Sequence, residues 1–226
     1  MRVKVFPWLG QEFVSLSWEG NGLGSLEDEM RELFGRFSDW LGRFGMTLDN
    51  TVRTRMFVRD VDTWYAAGPE RAKFVSGGAR SASSSHVRPD RLGDDARLAI
   101  DLLAMQAPKT GEQKVLREYE PQTRVLRRLT WGKLVFCSGV TDMTHPTLDE
   151  QLPVILGNLT GTLQDAGVSW ERVERASFFL HRDESIPKLR AYLDRTVDLW
   201  RAAKDFTFVD TRQGKRLEIE LTATLT

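Results

Sequence analysis

A segment in the first half of the chain recurs in the second half, and this repeat most narrows the folds open to the sequence. Residues 45–59 and 167–181 align without a gap at an offset of 122 residues, about half of the 226-residue length. Each copy has a glycine, a Thr or Ser, an acid, an arginine and then three apolar residues. Because this period is too long for a solenoid, it predicts two copies of one small domain.

The segments around each copy repeat as well. Apolar residues at three- and four-residue spacing predict a helix over 25–44, ended by Gly45, and a second helix that begins near Asp149. A strand and another helix are predicted after each glycine turn, and Gly68 and Pro69 predict an irregularity in the first of these helices. The predicted later helices cover 62–74 and 186–200, and the predicted strands cover 14–18, 52–58, 98–105, 124–131, 134–139, 173–180 and 217–225.

This order of elements predicts an α+β fold with two tandem domains, each a mixed sheet with two helices on one face. The polar stretch 108–113 predicts the boundary, which gives an N-terminal domain over 1–108 and a C-terminal domain over 112–226. The helices leave the opposite face of each sheet uncovered, so another part of the protein must pack on it. The abundant aromatic residues fit burial of these faces between domains or subunits.

Charge and composition exclude several partners and sites. Thirty-two basic residues balance 32 acidic ones, so we expect no nucleic-acid partner. A basic cluster in one predicted hairpin is interpreted as a solvated strand face. No run approaches the roughly 18 apolar residues of a membrane helix, so no membrane partner is expected. The lone Cys137 and the lack of a signal peptide favour the cytoplasm, and the three histidines have no metal-ligand spacing.

Three short segments of the second half carry a family resemblance. Leu-Val-Phe-Cys-Ser-Gly at 134–139, Ala-Gly-Val-Ser-Trp-Glu-Arg-Val at 166–173 and Leu-Glu-Ile-Glu-Leu at 217–221 resemble the Rid (YjgF-like) family of enamine/imine deaminases. The match covers 123–226, and a weaker one covers 12–106, so the chain resembles a tandem Rid protein. The resemblance implies a chorismate-mutase-like fold, threefold rings with ligand clefts between domains, and cofactor-free hydrolysis of 2-imino or 2-enamino acids to 2-oxo acids and ammonia.

The resemblance implies catalytic roles for Glu218 and Ser138 in the second half. The arginine of the family motif, which would hold the substrate carboxylate, matches Arg80 in the first half. The first half has Ala99 where the second has Glu218. We therefore hypothesise a composite site, in which Arg80 of one half faces Glu218 and Ser138 of another.

Four further residues are candidate substrate-binding groups: Lys204 and Arg201, which are the nearest cations in the second half, together with Cys137 and His86. Four of the candidate residues also have a structural alternative. Arg80 and Glu218 are alternatively solvated charges, Cys137 a small core residue, and His86 a surface-loop histidine.

The resemblance favours an enzyme that acts on a small carboxylate-bearing imine or enamine. A catalytically decayed small-molecule-binding protein is an alternative, and so is a chorismatase-like lyase, although chorismatase chains are considerably longer. Because a threefold ring needs a multiple of three domains, we expect a homotrimer, with a monomer as the alternative.

Overall fold

The computed structural model describes residues 2–89, 92–210 and 214–225. Each half contributes one sheet and two helices. The N-terminal elements are β1 (Arg2–Trp8), β2 (Gln11–Glu19), α1 (Leu26–Gly42), β3 (Thr51–Val58), α2 (Val61–Phe74), β4 (Ala82–Val87) and β5 (Leu98–Met105). The C-terminal elements are β6 (Val115–Glu118), β7 (Leu126–Trp131), β8 (Leu134–Thr141), α3 (Leu148–Asp165), β9 (Val173–His181), α4 (Ile186–Thr196), β10 (Ala203–Val209) and β11 (Leu217–Thr224).

The two sheets have the same topology. The first has the strand order β1-β2-β5-β3-β4, and the second β10-β9-β11-β8-β7-β6, so β6 is the one addition. In the first sheet β3 pairs in parallel with β4 and antiparallel with β5. In the second sheet β9 pairs in the same way with β10 and β11. Ala99 lies opposite Phe57 and Glu218 lies opposite Phe179, so the register places Ala99 at the position equivalent to Glu218.

Side chains at the helix starts explain where the helices begin. Ser25 caps α1 through its hydroxyl, and Thr147 forms a capping box with Glu150 at the start of α3. Two predicted helices differ from the structure. The helix α2 runs through Pro69 without interruption, and α4 ends at Thr196 rather than at residue 200.

Helices cover one face of each sheet, as the sequence predicts. Met30, Leu33 and Phe37 of α1 pack on the first sheet, and the apolar residues of α3 and α4 pack on the second. The other faces of the two sheets pack against each other. Phe13 and Phe136 meet at one end of this interface, and Phe57 and Phe179 meet at the other.

The contact between the halves is one-sided. Equivalent residues meet where β3 faces β9, because Arg55 donates to Ser177 and Phe57 packs against Phe179. Away from this line, β4 packs on β8, whereas the equivalent pair, β10 and β2, makes no comparable contact among the described residues. The two halves are therefore joined head to tail.

Four strands were not predicted from the sequence: β1, β4, β6 and β10. All four are edge strands, and three of the six residues of β4 are serines, so apolar residues mark these strands less clearly than they mark the central ones. No helix in the described part of the chain is long and apolar enough to cross a membrane.

Candidate functional site

A cleft of about 170 Å³ lies between the halves and brings acidic and basic side chains together. We call it the Glu218 cleft. The first half supplies α2 and β4, and the second half supplies β8, β11 and the segment before β11. Its described lining residues are Trp64, Arg71, Ser83, Ser84, Ser85, Val87, Val125, Gly139, Thr141, Met143, Asp210, Lys215 and Glu218.

Glu218 is almost fully buried, and a glycine makes room for it. Only 5% of the residue is exposed. The Glu218 carboxyl lies over Gly139 on the neighbouring strand β8, and a Cβ at that position would overlap it. The Ser-Gly sequence of β8 and the first glutamate of Glu-Ile-Glu thus form one structural unit.

Burial raises the pKa of Glu218, because a charged carboxylate is poorly solvated there. Lys215, which forms a close ion pair with Glu218, opposes this rise, and Arg71 opposes it more weakly. The net pKa of Glu218 is raised. This carboxyl is therefore suited to donate a proton at a pH where an exposed glutamate has already lost its own.

Arg71 supplies a cation on the first-half side of the cleft. Its Nη1 donates to the backbone oxygen of Ser84 at 3.0 Å. Desolvation lowers the pKa of Arg71 to about 10, and Glu218 acts in the opposite direction. Arg71 therefore remains a cation at neutral pH, and its guanidinium can hold a carboxylate in the same cleft as Glu218.

A second cavity of about 300 Å³ adjoins the Glu218 cleft, and we call it the Trp64 cavity. The two share Trp64, Arg71, Ser83, Ser85 and Val125. Arg80 lines the Trp64 cavity, where it forms a two-pronged ion pair with Glu118 of β6, with one N···O distance of 3.0 Å. Arg80 and Glu218 thus lie in adjoining parts of one composite cavity.

A buried polar network lies behind Glu218. The Nδ1 atom of His86 is 3.7 Å from the Glu218 carboxylate, and its Nε2 is 2.9 Å from the Ser84 hydroxyl. Ser84 donates to Glu220, which also accepts from Arg55 at 2.8 Å. Burial alone would raise the pKa of Glu220, but Arg55 and Arg53 outweigh it, so the pKa is lowered and Glu220 is ionised.

Two other predicted residues are buried beside the cleft and do not line it. The Ser138 hydroxyl accepts the backbone N–H of Ser83 at 3.0 Å and ties β8 to β4. Cys137 lies in the core, where burial raises the pKa of its thiol to about 11, and its backbone oxygen accepts from Arg53. His86 is likewise buried rather than on a surface loop, with its ring stacked on Phe179.

The structure does not bring Lys204 and Arg201 to the Glu218 cleft. The Lys204 ammonium donates to the backbone oxygen of Leu199 at 2.6 Å, and Arg201 lies over the ring of the exposed Trp200. Both residues are next to or on β10. This strand is equivalent to β4, but its first residue, Ala203, lines a different cavity, which lies between the sheets.

Sequence reasoning missed four residues of the site: Arg71, Lys215, Ser84 and Glu220. Arg71 follows Pro69 in a helix whose orientation is set only by packing, and Lys215 is in a polar turn. Glu220 carried a detectable signal, since it points to the same side of β11 as Glu218.

A separate cavity of about 320 Å³ lies between the sheets, lined by Arg53, Arg55, Arg175 and the rings of Phe6 and Trp8 among others. We assign the candidate site to the Glu218 cleft instead, because that cleft holds a carboxyl with a raised pKa beside cations. Within residues 2–89, 92–210 and 214–225, no group of three His, Cys, Asp or Glu side chains could hold a metal ion.

Comparison with known proteins gives matches among solved structures. No family model matches the sequence, and neither does a curated protein. A chorismatase is similar over 95% of this chain and 75% of its own, with a TM-score of 0.68 and 16% identity. A YjgF-family protein from Neisseria meningitidis matches 50% of this chain and 96% of its own (TM-score 0.43, 22% identity). One from Mycobacterium tuberculosis matches 50% and 100% (TM-score 0.42, 19% identity).

The chorismatase match spans both halves at once, and its longer chain agrees with the expectation from the sequence. The two sheets, each covered by two helices, give the same architecture element by element. The predicted tandem Rid-like α+β fold is thus confirmed, and the chain shares the two-domain fold of chorismatase.

Proposed function

We propose that this protein is a cofactor-independent hydrolase of a small carboxylate-bearing imine or enamine, with its site in the Glu218 cleft. The observation that carries the proposal is the pairing of a buried glutamate, whose pKa is raised, with Arg71 in one cleft. The glutamate can hold a proton at a higher pH than an exposed glutamate, and the arginine can bind a carboxylate through two hydrogen bonds.

The proposed reaction of an enamine acid has three proton transfers, and Glu218 takes part in the first two. Protonated Glu218 gives its proton to the enamine carbon, which leaves a carboxylate on Glu218 and an iminium carbon on the substrate. Water then adds to that carbon and returns a proton to Glu218, which gives a carbinolamine. The hydroxyl proton of the carbinolamine moves to its nitrogen, the C–N bond breaks as the C=O bond forms, and ammonia leaves. The products are a 2-oxo acid and ammonia, and Glu218 ends in its starting state. Lys215 stabilises the transient carboxylate of Glu218.

We assign the carboxylate anchor to Arg71 and place Arg80 at the distal end of the composite cavity. The Arg80 guanidinium already holds Glu118, so a substrate must be long enough to enter the Trp64 cavity before it meets Arg80. In this assignment Ser138 acts by holding Ser83 in place. The composite site proposed from the sequence is kept, but its arginine nearest to the acid is different.

The test uses the full chain and 2-imino acids generated in place by an amino-acid oxidase. We expect the wild-type protein to accelerate 2-oxo acid formation and Glu218→Gln to remove the acceleration. The matched control is Lys204→Ala, which changes a cation outside the cleft and should retain full activity. Absence of acceleration by the wild type with several imino acids would contradict the deaminase.

A chorismatase-like reaction is the second candidate, and the full-length likeness of fold favours it. The same assay series therefore includes chorismate, with its loss followed by chromatography. If neither substrate class is consumed and a small carboxylate still raises the melting temperature, the decayed binding protein is the better description.

We further propose the domain boundary between residues 108 and 112, and a homotrimer in solution. Sedimentation at three times the 25.8 kDa chain mass is expected, and sedimentation at the chain mass would contradict the trimer. The Glu218 cleft is built from one chain, so the proposed chemistry holds for either state.

A further inference from the structure

Behind Glu218, four side chains form a buried series that ends in an ion pair. His86 lies beside Glu218, Ser84 beside His86, Glu220 beside Ser84, and Arg55 beside Glu220. His86, Ser84, Glu220 and Glu218 are each at least nine-tenths buried. No step of the proposed reaction uses Ser84, Glu220 or His86, so their arrangement calls for its own explanation.

The direction of the hydrogen bonds can be worked out from the Glu220 end. Glu220 is ionised between Arg55 and Arg53, and an ionised carboxylate only accepts hydrogen bonds. The Ser84 hydroxyl therefore donates its one hydrogen to Glu220. Its oxygen is then an acceptor toward His86, so the Nε2 atom of His86 carries a hydrogen.

This fixes what His86 presents to Glu218. A neutral imidazole with its hydrogen on Nε2 has a lone pair on Nδ1. In His86 this atom faces the Glu218 carboxylate at 3.7 Å, which is longer than a hydrogen bond, so the two groups must approach each other to form one. The ring cannot turn freely, because it stacks on Phe179 with a centroid distance of 3.6 Å and an interplanar angle of 17°. A neutral Nδ1 can accept a hydrogen bond only from the protonated form of Glu218.

We propose that His86 is a positioning residue that holds the proton of Glu218, and that Ser84 and Glu220 serve to keep the imidazole in the tautomer with hydrogen on Nε2. The role of this proton in catalysis rests on the proposed function. The tautomer and its effect on Glu218 are properties of the protein alone.

Several charged groups act on Glu218 from the elements packed around it. Lys215, from the segment before β11, and Arg71, from α2, favour the carboxylate, whereas Glu220 on β11 favours the protonated form. His86, from β4, adds an acceptor that only the protonated form can use. Replacement of His86 by an apolar ring should therefore lower the pKa of Glu218.

The first measurement is the 15N NMR spectrum of histidine in the full-length protein, which distinguishes the two imidazole tautomers. The chain has three histidines, and His86→Phe assigns the signal. We expect hydrogen on Nε2 in the wild type and a loss of this preference in Ser84→Ala. Ser85→Ala is the matched control, since Ser85 points to the other side of β4 and should leave the tautomer unchanged.

The second measurement is the 13C signal of the Glu218 carboxyl against pH, assigned with Glu218→Gln. In His86→Phe, which keeps a ring on Phe179, we expect the midpoint to fall by about one pH unit. Hydrogen on Nδ1 in the wild type, or a midpoint that does not fall in His86→Phe, would overturn the proposal. Neither measurement needs a substrate, so the proposal can stand even if the deaminase assay fails.

Discussion

The Glu218 carboxyl occupies the space where a side chain at Gly139 would begin. The first prediction follows from this overlap. Gly139→Ala should push the carboxyl out of place and reduce kcat/KM about 100-fold, because catalysis is sensitive to shifts of about 1 Å. The control is Gly157→Ala in α3, where an added Cβ meets no atom within 4 Å. Steady-state kinetics with a substrate identified by the assay series measures both variants. Equal activities of Gly139→Ala and Gly157→Ala would contradict the account.

Arg71 gives the second prediction. Arg71→Ala should raise KM about 10- to 100-fold, since a hydrogen bond to a charged partner contributes about 1.5–3 kcal/mol. Arg71→Lys should recover only part of this loss, because an ammonium cannot reproduce the two-pronged contact of a guanidinium. Full recovery by lysine would show that charge alone is needed.

The third prediction concerns Arg80 at the far end of the composite cavity. Arg80→Ala should raise KM roughly 5- to 10-fold for a substrate that reaches the Trp64 cavity and leave kcat nearly unchanged, which is the pattern of lost uniform binding. For the smallest imino acids neither constant should change. A fall in kcat for small substrates would place Arg80 beside the reacting atoms instead.

The pH dependence gives the fourth prediction. Glu218 must be protonated to start the reaction, so activity should fall as pH rises through its raised pKa. Lys215 opposes that rise, so Lys215→Met should move the falling limb of the pH profile to higher pH. The raised pKa of Glu218 also makes the free energy of unfolding depend on pH. A carboxyl whose folded pKa is raised stabilises the fold at low pH, and this contribution is lost as pH rises through the folded pKa. A limb that moves to lower pH would contradict the prediction.

The fifth prediction tests the buried ion pair between the sheets. Arg55→Met leaves the buried Glu220 without its nearest cation, and it should cost about 3–5 kcal/mol in urea unfolding. Arg55→Met combined with Glu220→Gln should cost less than Arg55→Met alone. Because the folded pKa of Glu220 is lowered, its stabilising contribution is present at neutral pH and is lost as pH falls through that pKa. The wild type and Glu220→Gln should therefore converge in stability at low pH.

The sequence predicted the duplicated fold because the core strands and helices carry clear apolar periodicity in both halves. It also identified Glu218 and the Ala99 equivalence, since those positions follow from the alignment of repeats. It could not find Arg71 or Lys215, because their approach to Glu218 depends on how the halves pack. It nominated Lys204 and Arg201 because they lie at the start of the matching strand, but the start of that strand lies outside the Glu218 cleft.

Because the two halves are joined head to tail, each half contributes a different surface to the Glu218 cleft. In the Glu218 cleft the first half presents its β4 side, and the second half presents its β8 and β11 side. The equivalent surfaces at β2 and β10 contribute Ser15 and Ala203 to the separate cavity between the sheets. Arg201 lies outside the Glu218 cleft, so saturation mutagenesis should find it as tolerant as an ordinary surface site.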